Sequence, residues 1–154
     1  MAQPLDNGRL ITDVTYGMKI DKVVTLAGGT TNDPGNYNGT GNPMTLFKVY
    51  GVVRMRILAV CNTGLTGTTA TISVGTALST AGLIALTTAT NLAASELWND
   101  ATPDTSIEAT TTLAEKVIAQ DVIQAVATAN ITAGKITYTC IWYPLSENGY
   151  VTAA

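Results

Sequence analysis

Residues 44–61 read Met44-Thr45-Leu46-Phe47-Lys48-Val49-Tyr50-Gly51-Val52-Val53-Arg54-Met55-Arg56-Ile57-Leu58-Ala59-Val60-Cys61. Taken alternately, Phe47, Val49, Val53, Met55, Ile57, Ala59 and Cys61 form an apolar row, and Lys48, Tyr50, Val52, Arg54, Arg56 and Leu58 form the other. Successive side chains of a strand point to opposite faces, so this period of two predicts a strand with one buried and one wet face. The run is long for one strand, and a bend is expected at Gly51.

The flanking segments repeat the pattern at shorter length. Lys19 to Leu26 places Ile20, Val24 and Leu26 on one face. Ala70, Ile72 and Val74 alternate with Thr71 and Ser73, and Gly82 opens the short strand Leu83 to Leu86. Glu115 to Gln120 and Val122 to Ala127 read as two more strands. Lys135 to Tyr143 reads as the last, with Ile136, Tyr138, Cys140 and Trp142 inward and Pro144 as its stop. Ala129 to Gly134 is expected to be a hairpin loop, and Asn91 to Trp98 one or two helical turns with Leu92, Leu97 and Trp98 inward. Ser106 to Thr112 reads as a polar edge segment. Between strands lie turn dipeptides, densest in the long loop 27–43 with Gly28-Gly29, Asp33-Pro34-Gly35 and Asn38-Gly39. A loop of that length in a small domain is functional or mobile.

About eight short strands with almost no helix predict an all-β fold. The expected architecture is an antiparallel β-sandwich in jelly-roll or other Greek-key order. Residues 1–18 hold Pro4, Asn7-Gly8 and Gly17 and read as an extended N-terminal arm: a loose terminus or a strap on a neighbour. Residues 19–154 form the single domain.

Composition narrows the function. The 154 residues carry 12% charged and 46% apolar side chains, which argues against disorder. Lys+Arg is 8 against Asp+Glu 11, unlike a basic nucleic-acid binder. No stretch approaches the roughly 18 apolar residues of a membrane span. The opening residues lack a basic region followed by an apolar one, so synthesis in a cytoplasm is expected and the triplets at Asn38 and Asn130 read as chance glycosylation matches.

There is no His, so Ser-His-Asp and Cys-His catalysis and Cys/His zinc sites are ruled out. Cys61 and Cys140 favour buried small hydrophobes over a disulfide or a reactive thiol. Asp100, Asp104 and Glu108 favour a solvated turn over a calcium site or a glycosidase pair. No catalytic residue, cofactor or metal is assigned. Trp98, Trp142 and Tyr143 read as core anchors or as a sugar-stacking platform. Lys48, Tyr50, Arg54 and Arg56 share the wet row, which is a solvated face, an intersubunit contact, where Arg and Tyr are favoured, or a patch that meets an acidic partner.

The ending Gly134-Lys135-Ile136-Thr137-Tyr138-Thr139-Cys140-Ile141-Trp142-Tyr143-Pro144-Leu145-Ser146-Glu147-Asn148-Gly149-Tyr150-Val151 resembles the last strand of small tailed-phage virion proteins. Leu97-Trp98-Asn99-Asp100-Ala101-Thr102-Pro103 resembles a Trp-x-Asp-Ala-Thr-Pro turn of the same group. The two segments cover about a sixth of the chain. The resemblance implies a non-enzymatic β-sandwich that decorates or cements a bacteriophage head. It also implies a homotrimer on the capsid exterior, bridging capsomers and contacting the major capsid protein, with neither nucleic acid nor membrane as partner. A carbohydrate-binding or fibre-associated module for host attachment is the alternative. Contact residues follow from this sequence alone: Leu5 and Arg9 on the arm, Asn36 and Tyr37 in the long loop, and Tyr50, Arg54 and Arg56 on the wet row.

Overall fold

A computed structural model describes residues 5–6, 9–10, 17–105, 107 and 113–154, the first two pairs by backbone alone. Among the described residues twelve strands follow in order: β1 (Leu5–Asp6), β2 (Arg9–Leu10), β3 (Met18–Leu26), β4 (Met44–Tyr50), β5 (Val53–Thr66) and β6 (Thr71–Thr76), then β7 (Ser79–Thr88), β8 (Leu97–Trp98), β9 (Lys116–Ile118), β10 (Val122–Ala127), β11 (Ala133–Pro144) and β12 (Tyr150–Ala153). One five-stranded sheet runs β12-β4-β10-β6-β7; the other runs β3-β11-β5-β8, with β9 also on β5. All pairings are antiparallel. The antiparallel sandwich expected from the alternation is present. No helix among the described residues is long and apolar enough to cross a membrane.

Gly51 does more than bend a strand. β4 and β5 lie in different sheets, so the chain crosses the sandwich at Gly51-Val52. Gly51 has φ +61°, and a Cβ there would run into Ser146 Oγ and Asn148 Oδ1. Ser146 Oγ accepts the Val52 N–H at 2.8 Å, closing the corner. The connection expected as a hairpin loop over Ala129 to Gly134 is instead a second crossing, at 128–132, because β10 and β11 also belong to different sheets. β4 pairs with β10 and β5 with β11, so two consecutive strand pairs interlock. In chain order β3, β4, β5, β6, β7, β8, β10 and β11 fall into sheets β3-β11-β5-β8 and β4-β10-β6-β7, so the first strand lies beside the last and the second beside the last but one, as in a jelly roll.

The core confirms the main register. Val53, Met55, Ile57, Ala59 and Cys61 are buried on β5, as are Ile136, Tyr138, Cys140 and Trp142 on β11. The alternation breaks on β4, where Leu46 and Phe47 are both buried. Opposite them the β10 register jumps between Val122↔Phe47 and Ile123↔Thr45, so a bulge admits the extra residue and sends both side chains inward. Ser73, expected outward, is also buried.

Two polar contacts cross the dry interior. Tyr138 Oη donates to Gln124 Oε1 at 2.7 Å, and Trp98 Nε1 donates to Thr87 Oγ1 at 2.9 Å. Burial pushes the Tyr138 phenol well above its usual range, so it stays a donor.

Two further expectations are corrected. The helical turns placed over 91–98 reduce to a single 3-10 turn at Ala89–Asn91, and Leu97–Trp98 instead pairs with β5. β12 follows β11, so β11 is not the last strand. β1 and β2 pair with each other as a separate two-stranded sheet, Leu5 opposite Leu10. The rest of the arm up to residue 16, and most of the edge segment 106–112, lies outside the described residues.

The register makes two predictions. Ile57→Asp inserts a charge into the core, costs more than about 4 kcal/mol and unfolds the domain, whereas Arg56→Ser leaves it folded, as read by far-UV circular dichroism. Tyr138→Phe strands Gln124 Oε1 and lowers unfolding stability by about 1–3 kcal/mol in a urea titration.

Candidate interaction face

The outer side of β3-β11-β5 is built by the same alternation that fills the core. With Ile136, Tyr138, Cys140 and Trp142 inward, Lys135, Thr137, Thr139, Ile141 and Tyr143 point out. Cross-strand partners complete the rows: Lys19 and Arg56 flank Ile141, Arg54 lies opposite Tyr143, and Val117 lies beyond Arg54. Val23 and Val117 are exposed at 52% and 67%, unusual for valines on a sheet.

This face is stiffened by short polar links. Thr139 Oγ1 donates to Asp21 Oδ1 and Thr137 Oγ1 to Asn62 Oδ1, each at 2.7 Å. The Thr139 hydrogen bond and Lys19, whose Nζ is 3.0 Å from Oδ2, hold the Asp21 carboxyl below its usual range. Arg54 Nε meets Glu115 at 3.1 Å, and its guanidinium lies 4.4 Å above the Tyr143 ring. Arg54 therefore ties β9 to β5 and caps an aromatic side chain. Arg56 is half-buried, and its Nε has no hydrogen-bond partner among the described residues. Gly17 (φ +86°) brings the incoming backbone onto this face, where a Cβ would sit 2.8 Å from Ile141 Cγ2 and 2.9 Å from Tyr143 Cζ.

The seven candidate contact residues do not form one patch. Arg54 and Arg56 share the face just described. Tyr50 sits with Lys48 on the outer side of the opposite sheet, because the corner at Gly51 splits the wet row between two faces. Tyr50 stacks on Tyr150. Asn36 is occupied within its own loop, donating to Thr30 O at 3.1 Å and accepting from Asn38 N at 3.1 Å. Tyr37 is exposed at 39%, with its N–H held by Asn130 Oδ1. Leu5 and Arg9 have described backbone only.

The loop 27–43 is tied down at several points. The Asn42 side chain bonds both the N–H and the C=O of Val126, like one more strand residue, and Ile131 N donates to Gly35 O at 2.8 Å. Asn130 Nδ2 donates to Gly28 O, so this amide of a glycosylation triplet is already engaged.

The groups considered for other chemistry are used internally. Trp98 is fully buried and Trp142 is 7% exposed, so the sugar platform they would share with Tyr143 is not assembled. Asp100 Oδ1 accepts the Thr102 N–H at 2.7 Å in a turn, and Asp104 bridges Leu97 through its backbone. Glu108 lies outside the described residues. Among the described residues, no group of three or more His, Cys, Asp or Glu could hold a metal ion.

Both cysteines are free and buried. Cys61 faces Ile136 and Cys140 faces Ile57, so the two thiols are offset along the β5–β11 ladder and cannot bridge. Burial pushes the Cys61 thiol up to about 11 and the Cys140 thiol up to about 12. The folded state holds these protons more tightly than the unfolded chain, so the thiols contribute stability below pH 9.0 that is lost as the pH climbs toward 11 and 12. Neither cysteine is expected to react with Ellman's reagent at neutral pH until denaturant is added; prompt release of chromophore from the native protein contradicts this burial.

No family model, curated protein or solved structure matches the chain.

Proposed function

We propose that this protein is a non-enzymatic structural component of a phage virion. It decorates or cements the capsid by bridging neighbouring capsomers, using the outer face of β3-β11-β5 as its contact surface. One observation carries the choice of face. Four of the chain's eight basic residues, Lys19, Arg54, Arg56 and Lys135, lie there against Asp21 and Glu115, although the whole chain has eleven acidic residues and a net charge of −3. Excess positive charge beside exposed Val23 and Val117 on a rigid sheet fits a protein partner with an acidic rim.

The virion setting rests on the resemblance of residues 97–103 and 134–151 to tailed-phage virion proteins. The major capsid protein is the partner that this reading names, and a homotrimer is its assembly. The physical demand is modest. A standard interface uses about 800 Å² per partner, roughly a tenth of the 8113 Å² this molecule exposes. Repetition over a shell multiplies such contacts, and a stiff body resists capsomer separation better than a deformable one.

Arg54→Glu combined with Arg56→Glu is expected to leave the far-UV spectrum unchanged and to abolish co-sedimentation with assembled heads. Lys48→Glu, on the opposite outer face, is expected to bind as the native protein does. Equal binding by the double variant removes this face from the reading. A native protein that light scattering shows to be monomeric, with no uptake on heads, removes the virion reading itself.

A further inference from the structure

Residues Tyr50 of β4 and Tyr150 of β12 lie directly opposite each other across the strand pair. Their rings stack with centroids 4.2 Å apart and planes 9° apart. Both stay open to solvent, at 41% and 43% exposure. Among the described residues no other two tyrosines are in ring contact. Tyr138 is buried under Trp98, Tyr143 is covered by Arg54, and Tyr37 stands without a neighbouring ring.

We propose that Tyr50 and Tyr150 form an oxidative modification site, at which a one-electron oxidant couples the two rings into an intrachain dityrosine. Each phenol gives up one electron and its hydroxyl proton, leaving a phenoxyl radical with spin density on the ring carbons beside the oxygen. The two radicals join through a new carbon–carbon bond between those ortho positions. The hydrogen displaced from each ortho carbon moves to its phenol oxygen and restores aromaticity. The net change is the loss of two electrons and two protons, the electrons passing to the oxidant and the protons to water. Holding the rings in contact replaces a chance encounter between radicals with a unimolecular step.

The site has a mechanical consequence. β12 is held to β4 through a four-residue pairing, Tyr50↔Tyr150 to Phe47↔Ala153. Its far end meets β3 through Lys22 Nζ and Ala154 O. A bond at the near end fastens β12 at the corner where the chain crosses between sheets. This inference concerns the chain alone and stands independently of the virion reading.

The test is photo-oxidation of dilute protein with tris(bipyridine)ruthenium(II) and persulfate. The expected product is monomer-sized, lighter by two hydrogen atoms, fluorescent as dityrosine, and gives on digestion a peptide joining Tyr50 to Tyr150. Tyr50→Phe and Tyr150→Phe retain a stacked ring and are each expected to lose this product, whereas Tyr37→Phe forms it normally. The oxidised native protein is expected to melt at a higher temperature than the untreated one, while the same treatment leaves the melting of Tyr150→Phe unchanged. Coupling only between chains, or intrachain coupling that persists in Tyr150→Phe, overturns the proposal.

Discussion

The hydrogen bond from Tyr138 Oη to Gln124 Oε1 joins the two sheets where apolar packing alone would leave their relative position loosely fixed. Gln124 also reaches Pro34 O at 3.3 Å, which links the long loop to the same point. The Tyr138 ring leans on Trp98, at 6.3 Å between centroids, and the Trp98 indole continues the chain of contacts to Thr87 on β7. In a dry interior each of these polar groups is costly if it loses its partner, so the network penalises every register but one. A slip of β11 by one residue would bury Thr137 and Thr139 and expose Tyr138. The outer face inherits its definition from this constraint: Arg54, Arg56, Ile141 and Tyr143 point outward because Tyr138 must point in.

Much of this architecture was legible in local pattern. The buried rows of β5 and β11 follow from alternation, and β10 has the predicted limits. What escaped the sequence is nonlocal. Glycine in a strand signals a bend, and nothing local distinguishes a bend within one sheet from a corner between two. The same ambiguity hid the crossing between β10 and β11. Leu97–Trp98 looked helical because Leu92, Leu97 and Trp98 suit the inner side of a helical turn as well as an edge pairing. Tyr150–Ala153 is too short to show a period, and β4 stabilises it as a strand through backbone pairing. The bulge that buries Leu46 beside Phe47 needs knowledge of what lies opposite.

The candidate face was half legible. Arg54 and Arg56, two residues apart on a long strand, had to share a side. Lys48 and Tyr50 followed the same parity, yet the corner sent them to the opposite surface. The gathering of Lys19 and Lys135 beside the arginines depends on β3 and β5 both flanking β11, which chain order does not reveal. Tyr150 likewise became a partner of Tyr50 only through pairing across a hundred positions of sequence. Asn36 is bound first within its own loop, because asparagine in a turn satisfies its own backbone before it meets a neighbour.

A cryo-electron reconstruction of assembled phage heads mixed with this protein tests the central claim most directly. The account predicts copies seated across capsomer seams with β3, β11 and β5 turned toward the shell, and with Arg54 and Arg56 against acidic side chains of the underlying protein. Particles that lack the protein, or that carry it with this face turned to solvent in every copy, would contradict it.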